Sequence, residues 1–459
     1  MTNFWDYSVW ASLNLIAVLL ISLLVGNILK KRVRFLAESL IPTSVISGVI
    51  LLIVKEIYKS CTGMVMFNTP FFGGNGTDVL EIITYHTLAL GFIAATFTST
   101  DGKTSKERTI EIANTGITTV ATYLLQAVFG IAISMIAAKF VAGFLPAAGA
   151  LLPLGYGQGT GQALNFGSLY ETDYGFAGGK AFGLTIAALG FISAGIGGVI
   201  HMNIGHKRGK IKVKKAEREI IDGLQIQTRH EIPMQENMDK ITVQFAFILG
   251  AYLLAYIFML IIGGIAPGLK SVIYGFNFLL GVISASLIKF VIRRLRLKRI
   301  IRKQYINNFF MTRLSNFFYD LMIVAGVAAI RLSALENYWG IIIIMGIIGA
   351  VITYVYNLYV AKHLFPQYKQ EQFLAMYGML TGTASTGMML LREVDPHFST
   401  PAAENLVYQN FVAIVLGFPM MLFASYAPKN PVLVLVICFA YFAVLNIVLF
   451  RAKIFKKKQ

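Results

Sequence analysis

Two glycine-rich stretches decide the predicted fold of this chain: Ala148-Gly-Ala-Leu-Leu-Pro-Leu-Gly-Tyr-Gly-Gln-Gly-Thr-Gly-Gln162 and Met376-Tyr-Gly-Met-Leu-Thr-Gly-Thr-Ala-Ser-Thr-Gly387. Glycine at this density breaks helices, because it gains more backbone freedom on unfolding than any other residue. A broken helix leaves backbone N–H and C=O groups unpaired, which lipid cannot satisfy and a watery cavity can. Around these stretches, segments 148–170 and 372–394 are therefore predicted to be interrupted helices that face a water-filled cavity.

The sequence on either side of these stretches is that of a membrane protein. Of its 459 residues, 56% are apolar and only 14% are charged. Several stretches that are nearly free of charge approach the ~20 residues that a helix needs to cross a hydrocarbon core of about 30 Å. These stretches are 9–26, 41–54, 241–264, 341–360 and 431–450. We therefore predict an all-α integral membrane protein.

The apolar pattern predicts about eleven transmembrane helices and one polar connection. The connection covers 203–240, is rich in Lys and Arg, and is predicted to be a solvated cytoplasmic linker. The helices are predicted at 8–28, 35–57, 81–97, 110–141, 178–202, 241–264, 269–292, 315–335, 337–361, 402–427 and 431–451.

The positive charges predict how these helices are oriented. The net charge of +18 is concentrated in short segments beside the helices, a placement that reports membrane orientation rather than nucleic-acid binding. With the N-terminus outside and the C-terminus inside, nearly all Lys and Arg fall on the inner side. This agreement holds only if 148–170 and 372–394 each enter and leave the membrane on one face. Both segments are therefore predicted to be re-entrant loops, the first dipping from outside and the second from inside.

This layout predicts an inverted repeat. The first repeat, 1–202, and the second, 241–427, each contain four helices, a re-entrant loop and one more helix, and they begin on opposite faces. The segment 428–459 adds an extra transmembrane helix and a basic cytoplasmic tail. Interrupted helices at matching places in two inverted halves indicate the binding site of a secondary transporter.

The loops carry groups suited to binding a small anion and a cation. A half-helix that starts inside the membrane presents unpaired N–H groups to an anion, and one that ends there presents carbonyl oxygens to a cation such as sodium. Close helix packing through small residues is the alternative explanation of the same composition. The candidate solute- and ion-binding residues are Gly157, Gln158, Gly159, Thr160, Gly161, Gln162 and Asn165 in the first loop, and Thr381, Gly382, Thr383, Ser385 and Thr386 in the second. Thr160, Thr383 and Ser385 are the candidate sodium ligands.

One acidic residue within an apolar helix is a further candidate. Charged residues inside membrane helices are rare and usually functional. Asp320 either lines the cavity and helps to bind a cation or anchors its helix at the inner interface.

Several motifs carry a resemblance to a known family. They are Leu40-Ile-Pro-Thr-Ser-Val-Ile-Ser-Gly48, the stretch 88–99, Gly157-Gln-Gly-Thr-Gly161, Tyr174-Gly-Phe176 and Ser193-Ala-Gly-Ile-Gly-Gly198. Through them the chain resembles the bacterial sodium/glutamate symporter family over roughly residues 10–427. The family's first loop normally reads Gly-Gly-His-Gly-Thr-Gly, from which Tyr156 and Gln158 depart. Its second loop usually has a Thr-Pro-Thr core, where this chain has Thr383-Ala384-Ser385.

The resemblance implies a homodimer in the bacterial inner membrane that is surrounded by lipid. Sodium as the coupling ion would drive uptake of glutamate or a related small carboxylate by an elevator-like movement of both loops. A hydroxycarboxylate or a neutral amino acid, with sodium or proton coupling, is the alternative solute, and a gated channel is the alternative class. A membrane enzyme is not expected, because the six histidines are scattered and no His/Asp/Glu cluster lies within the predicted spans.

Overall fold

The computed structural model describes residues 3–38, 41–98, 106–209, 231, 233–234, 238–267, 270–275, 277–395 and 399–451. Helix accounts for 84% of the structure, and the described residues contain no strand. The predicted all-α class is therefore confirmed. A single β-bridge between Glu231 and Gln304 is the only extended pairing in the described part.

The first half of the chain forms eight α-helices in its described part. Short 3-10 turns at Met66–Asn68, Pro70–Phe72 and Ala148–Ala150 lie between them. The helices are α1 (Tyr7–Arg32), α2 (Arg34–Glu38), α3 (Thr43–Thr62), α4 (Gly76–Phe97), α5 (Lys106–Ala137), α6 (Leu151–Tyr156), α7 (Gly159–Tyr174) and α8 (Gly179–Lys207).

The second half of the described chain forms nine more. Further 3-10 turns occur at Leu332–Leu335 and Pro366–Tyr368. The helices are α9 (Lys240–Ile265), α10 (Lys270–Gly275), α11 (Asn277–Leu297), α12 (Asn308–Ala329), α13 (Trp339–Leu364), α14 (Lys369–Thr381), α15 (Ala384–Val394), α16 (Ala402–Tyr426) and α17 (Pro431–Leu449).

Seven helices in the described residues are long and apolar enough to cross a membrane, so the chain is a multi-pass membrane protein. An eighth candidate is α16, which is bent by 50° between Ala402–Asn410 and Val412–Tyr426. The seven spans are Tyr7–Arg32, Pro70–Phe97, Glu107–Ala137, Gly179–Lys207, Lys240–Ile265, Trp339–Leu364 and Pro431–Leu449.

The other three predicted spans form the helices α3, α11 and α12, in which charged residues lower the hydropathy. In α3 the charge has a structural explanation. Lys55 is buried, and its ammonium donates to the carbonyl oxygen of Ala328 at 3.1 Å and also to that of Ile330. These carbonyls lie at the C-terminal end of α12, where a cation satisfies oxygens that the helix leaves unpaired. That these three helices cross the membrane stays a prediction.

The chain packs into two compact units. The first consists of Met1–Glu81, Thr104–Ala216 and Ile323–Gln459, and it contains both glycine-rich stretches. The second consists of Ile82–Lys103 and Glu217–Met322. The units do not coincide with the predicted repeats 1–202 and 241–427, because each unit combines segments from both halves of the chain. The division into repeats stays a prediction. Most of the predicted linker 203–240 lies outside the described residues, and α8 extends to Lys207, five residues beyond the predicted end at 202.

Candidate functional site

The first glycine-rich stretch is interrupted where α6 ends at Tyr156 and α7 begins at Gly159. Gly159 has φ of 79°, a left-handed conformation that glycine adopts without strain. The Tyr123 hydroxyl donates to the carbonyl oxygen of Gly157 at 3.0 Å. A side chain at Gly157 has no space, because its Cβ would lie 2.1 Å from the Tyr123 ring. Glycine is therefore required here for close approach to α5.

The second stretch is interrupted where α14 ends at Thr381 and α15 begins at Ala384. The two helices lie side by side. A Cβ on Gly378 would lie 2.8 Å from the Cα of Gly387, and one on Gly387 would lie 2.4 Å from the carbonyl oxygen of Ala375. Since residue 387 faces both 375 and 378, α15 folds back along α14 as a helical hairpin.

The two interruptions meet at one point on α8. A Cβ added to Gly190 would lie 2.5 Å from the carbonyl oxygen of Thr381 and 3.2 Å from the Cα of Tyr156. Tyr156 is the last residue of α6 and Thr381 is the last residue of α14. The ends of the two half-helices are therefore neighbours, and the absence of a side chain at Gly190 allows both to approach α8.

Helix α5 binds both interruptions through two side chains on one face. Tyr123 binds the Gly157 carbonyl, as described above, and the Gln126 amide donates to the carbonyl oxygen of Leu380 at 2.9 Å. Residues three apart lie on the same side of a helix, so one face of α5 joins the two ends. The sequence analysis missed both residues. A carboxamide within an apolar span was the available signal, because such groups in membrane helices usually face the protein interior.

The predicted polar residues of the two stretches are mostly buried. Thr160, Gln162, Thr381 and Thr386 are fully buried, and Asn165 is nearly so. Gln162 is exceptional, because neither its amide nitrogen nor its amide oxygen has a hydrogen-bond partner among the described residues. An unpaired buried amide is costly, which is why native proteins rarely contain one without a functional reason.

The remaining predicted residues are placed as follows. The hydroxyl oxygens of Thr383 and Thr386 lie 3.4 Å apart, beside the buried Gly382. Gln158 is half-buried, and Gly161 is buried. The side chain of Ser385 lies outside the described part of the structure. Asp320 belongs to the second unit, where it is exposed on α12. Its role stays a prediction.

A carboxylate joins the end of α15 to the residues that precede α16. Asp395 accepts hydrogen bonds from the backbone N–H and hydroxyl groups of Ser399 and Thr400, at 2.7 to 2.9 Å. Burial alone would raise the pKa of Asp395, but these hydrogen bonds outweigh burial and lower it. The carboxylate therefore stays ionised and holds the C-terminal end of the hairpin close to the start of α16.

The fold and the site together define a class: a multi-pass, all-helical membrane protein in which two interrupted helices meet at a buried polar centre. Secondary transporters with discontinuous helices are built in this way. The family model for the sodium/glutamate symporters matches residues 9–400, which is most of the chain. The protein belongs to the sodium/glutamate symporter family, as the sequence motifs predict. The comparison with curated proteins gave no match.

Proposed function

We propose that this protein is a sodium-coupled symporter of glutamate or a related small carboxylate, with its binding site where the two interruptions meet. The observation that carries the proposal is the approach of Tyr156 and Thr381 to the same point beside Gly190. Family membership supports both a transporter and sodium as the coupling ion.

The ends of the half-helices provide complementary chemistry. Helix α7 begins at Gly159 and α15 begins at Ala384, so each directs unpaired N–H groups and a positive dipole end towards the interruption before it. These groups suit the carboxylates of the solute. The hydroxyl oxygens of Thr160, Thr383 and Ser385, with nearby backbone carbonyls, are the ligand type that a hard cation such as sodium prefers.

An inverted repeat supports alternating access by an elevator-like movement. In this proposal Tyr123 and Gln126 keep the two interruptions together, so that solute and sodium move with them. A homodimer would supply the fixed partner for that movement, as the family resemblance implies.

A second solute class is favoured by the lack of charge among the site residues named here. Gln158, Gln162, Thr160 and Thr386 are all neutral. A neutral lining with amide groups also suits a neutral amino acid, whose own charges cancel. A hydroxycarboxylate is the other alternative on the same fold.

Uptake into proteoliposomes tests the proposed function. Purified protein is reconstituted, a sodium gradient, a proton gradient or a potassium gradient of equal size is imposed, and labelled glutamate, dicarboxylates, hydroxycarboxylates and neutral amino acids are compared. We expect accumulation of glutamate or a related carboxylate only with the inward sodium gradient. Uptake that follows the solute gradient alone would contradict the proposal and indicate a channel.

A variant locates the site within this assay. Thr160→Ala removes one candidate ligand, and we expect about a tenfold loss of apparent sodium or solute affinity, or ~1.4 kcal/mol. Thr172→Ala is the matched control, because Thr172 lies on the same helix, is exposed, and bonds to the Ser168 carbonyl of its own helix. Equal transport by both variants would count against the site.

A further inference from the structure

A small basic pocket lies within the first unit, and none of its lining residues belongs to the glycine-rich stretches. Its volume is about 170 Å³, which leaves room for a few water molecules or one small anion, since a water occupies about 30 Å³. The pocket is lined by the end of α3, by the first turn of α4 with the 3-10 turn before it, and by the residues that follow α12. Its polar lining includes Lys55, Glu56, Lys59, Asn68, Thr77 and Arg331.

Cations outnumber carboxylates in this lining. The cations are Lys55, Lys59 and Arg331. The lining contains one carboxylate, that of Glu56, which lies 3.9 Å from the Lys55 ammonium. Three cations around one cavity repel one another, and an anion held between them would offset that repulsion.

The two lysines retain hydrogen-bond donors. The buried Lys55 ammonium uses two of its three hydrogens on the carbonyl oxygens of Ala328 and Ile330. Lys59 is half-buried and makes no hydrogen bond or ion pair with any described residue. One hydrogen of Lys55 and the whole ammonium group of Lys59 therefore remain for a ligand.

Arg331 also retains donors. Its nitrogen Nη2 makes both of its ion pairs, with Asp78 at 2.7 Å and with Glu81 at 3.2 Å, and neither of these carboxylates lines the pocket. Glu81 is shared with Lys180, whose ammonium lies 2.8 Å from it. Nη1 and Nε of Arg331 have no hydrogen-bond partner in the described part of the chain, so two guanidinium nitrogens are available to an anion.

A buried hydroxyl without a partner points to a ligand in the same place. Thr77 is 4% exposed, and its hydroxyl oxygen has no hydrogen-bond partner among the described residues. The Asn68 amide oxygen accepts from the Thr77 backbone N–H at 3.2 Å, so the Asn68 nitrogen faces away from that bond and remains a donor. Thr77 is the second residue of α4, where the positive end of the helix dipole favours an anion.

We infer that this pocket binds a phosphate group at the outer face of the membrane. Its donors come from three separate elements and so surround the cavity, which suits the oxygens of a tetrahedral phosphate better than the two coplanar oxygens of a carboxylate. In the predicted topology the ends of α3 and α12 that line the pocket reach the outer face. A lipid headgroup and free phosphate share this chemistry. The inference is independent of the proposed function, because it concerns neither the solute nor the coupling ion.

Ligand-dependent stability of the purified protein tests the inference. The unfolding temperature of lipid-depleted protein in detergent is measured against sodium phosphate, sodium acetate and sodium chloride at equal ionic strength and pH. A second series compares micelles that contain phosphatidylglycerol with micelles that contain diacylglycerol, which has the same chains and no phosphate. A ligand that binds only the folded state raises its stability with concentration. We expect a saturable increase with a phosphate-bearing ligand that acetate, chloride and diacylglycerol do not produce.

Two variants locate the effect in the pocket. In Lys59→Gln and in Thr77→Val the half-maximal ligand concentration should rise about tenfold, as for the loss of one hydrogen bond to a charged group. Thr77→Val should not lower the unfolding temperature without ligand, because the hydroxyl that it removes has no partner. Lys139→Gln is the matched control: Lys139 is exposed just after α5 on the same predicted face, and its loss removes the same charge outside the pocket.

The outcomes separate the two sources of phosphate from failure of the inference. A response to phosphatidylglycerol alone identifies a lipid headgroup, and a response to inorganic phosphate identifies the free anion; both support the inference. Phosphate also stabilises proteins in general, but this effect is the same in all variants. Equal responses of Lys59→Gln and Lys139→Gln would therefore overturn the inference, as would acetate acting as strongly as phosphate or a wild type that responds to no phosphate-bearing ligand. None of these results bears on the proposed function, because no solute gradient is involved.

Discussion

At the scale of single residues, Gln162 is expected to lower the stability of the protein and to contribute to solute binding. Its amide is fully buried and unpaired among the described residues, whereas the Gln372 amide, equally buried, binds Thr115 and Asn405. A buried polar group without a partner costs about 1–3 kcal/mol, while a satisfied one contributes to stability. A solute that supplies the missing hydrogen bonds would recover that cost on binding.

Gln162→Leu should therefore stabilise the protein without solute and impair transport. We expect the free energy of unfolding to rise by about 1–2 kcal/mol, because the unpaired amide is removed and the side-chain volume is kept. Apparent solute affinity in proteoliposome uptake should fall. Thermal unfolding in detergent and uptake kinetics measure the two effects.

Gln372→Leu provides the comparison for that variant. It removes a buried glutamine whose hydrogen bonds are made, so it should lower the unfolding temperature. If Gln162→Leu destabilises the protein to the same extent, the Gln162 amide is satisfied in the folded state and is not held ready for a solute.

At the scale of elements, α5 contacts both interrupted helices. A stripe of buried polar residues runs along it at intervals of three and four residues, and the hydroxyls of Thr115, Thr118 and Thr122 donate to carbonyls one turn earlier in the same helix. Because the helix satisfies these hydroxyl hydrogens itself, the hydroxyl oxygens of Thr122 and Thr115 are free to accept from the amides of Asn357 and Gln372 on other helices. The stripe consists of Thr115, Thr118, Thr119, Thr122 and Gln126.

Tyr123→Phe tests the attachment of the first interruption to α5. Losing the hydrogen bond to the Gly157 carbonyl should cost about 1 kcal/mol of stability, since the carbonyl is left unpaired. The end of α6 would then be less firmly placed, so apparent solute affinity should also fall. Tyr441→Phe is the control: the Tyr441 hydroxyl donates to the Leu416 carbonyl at 2.8 Å, and its loss should lower stability while leaving uptake unchanged. Equal effects on uptake would show that Tyr123 has no special part in the site.

The sequence predicted the elements of the site better than the contacts between them. Glycine density located both interruptions, because the composition that breaks a helix is local. The bonds of Tyr123 to Gly157 and of Gln126 to Leu380 join residues that are 34 and 254 positions apart, and no periodic pattern reports such pairs. Apolar residues after the end of α5 also explain why its predicted end, residue 141, lies too far along the chain. Phe140 extends the apolar pattern, yet α5 ends at Ala137 and Phe140 is 82% exposed.

At the scale of the whole molecule, the inverted repeat is predicted by the charge pattern, and the pairing of α5 with α13 is consistent with it. The charge pattern predicts that equivalent helices of the two halves point in opposite directions. The pairing of Gln126 with Thr353 and of Asn357 with Thr122 requires α5 and α13 to be antiparallel. An antiparallel contact between the fourth predicted helices of the two halves agrees with the inverted repeat, which stays a prediction.

The symmetry predicts that the two glycine-rich segments are reached from opposite faces of the membrane. In a Cys61→Ser background, which removes the exposed thiol, Thr172→Cys reports the far end of α7 and Gln367→Cys reports the approach to α14; both positions are exposed. A membrane-impermeant maleimide applied to intact cells should label position 172 alone, and position 367 only after the membrane is opened. Wild-type Cys61 should label from outside, which checks the assay, because it lies in a predicted outer segment. Labelling of positions 172 and 367 from the same face would contradict the inverted repeat. A segment that crosses the membrane once reverses the orientation of every helix that follows it.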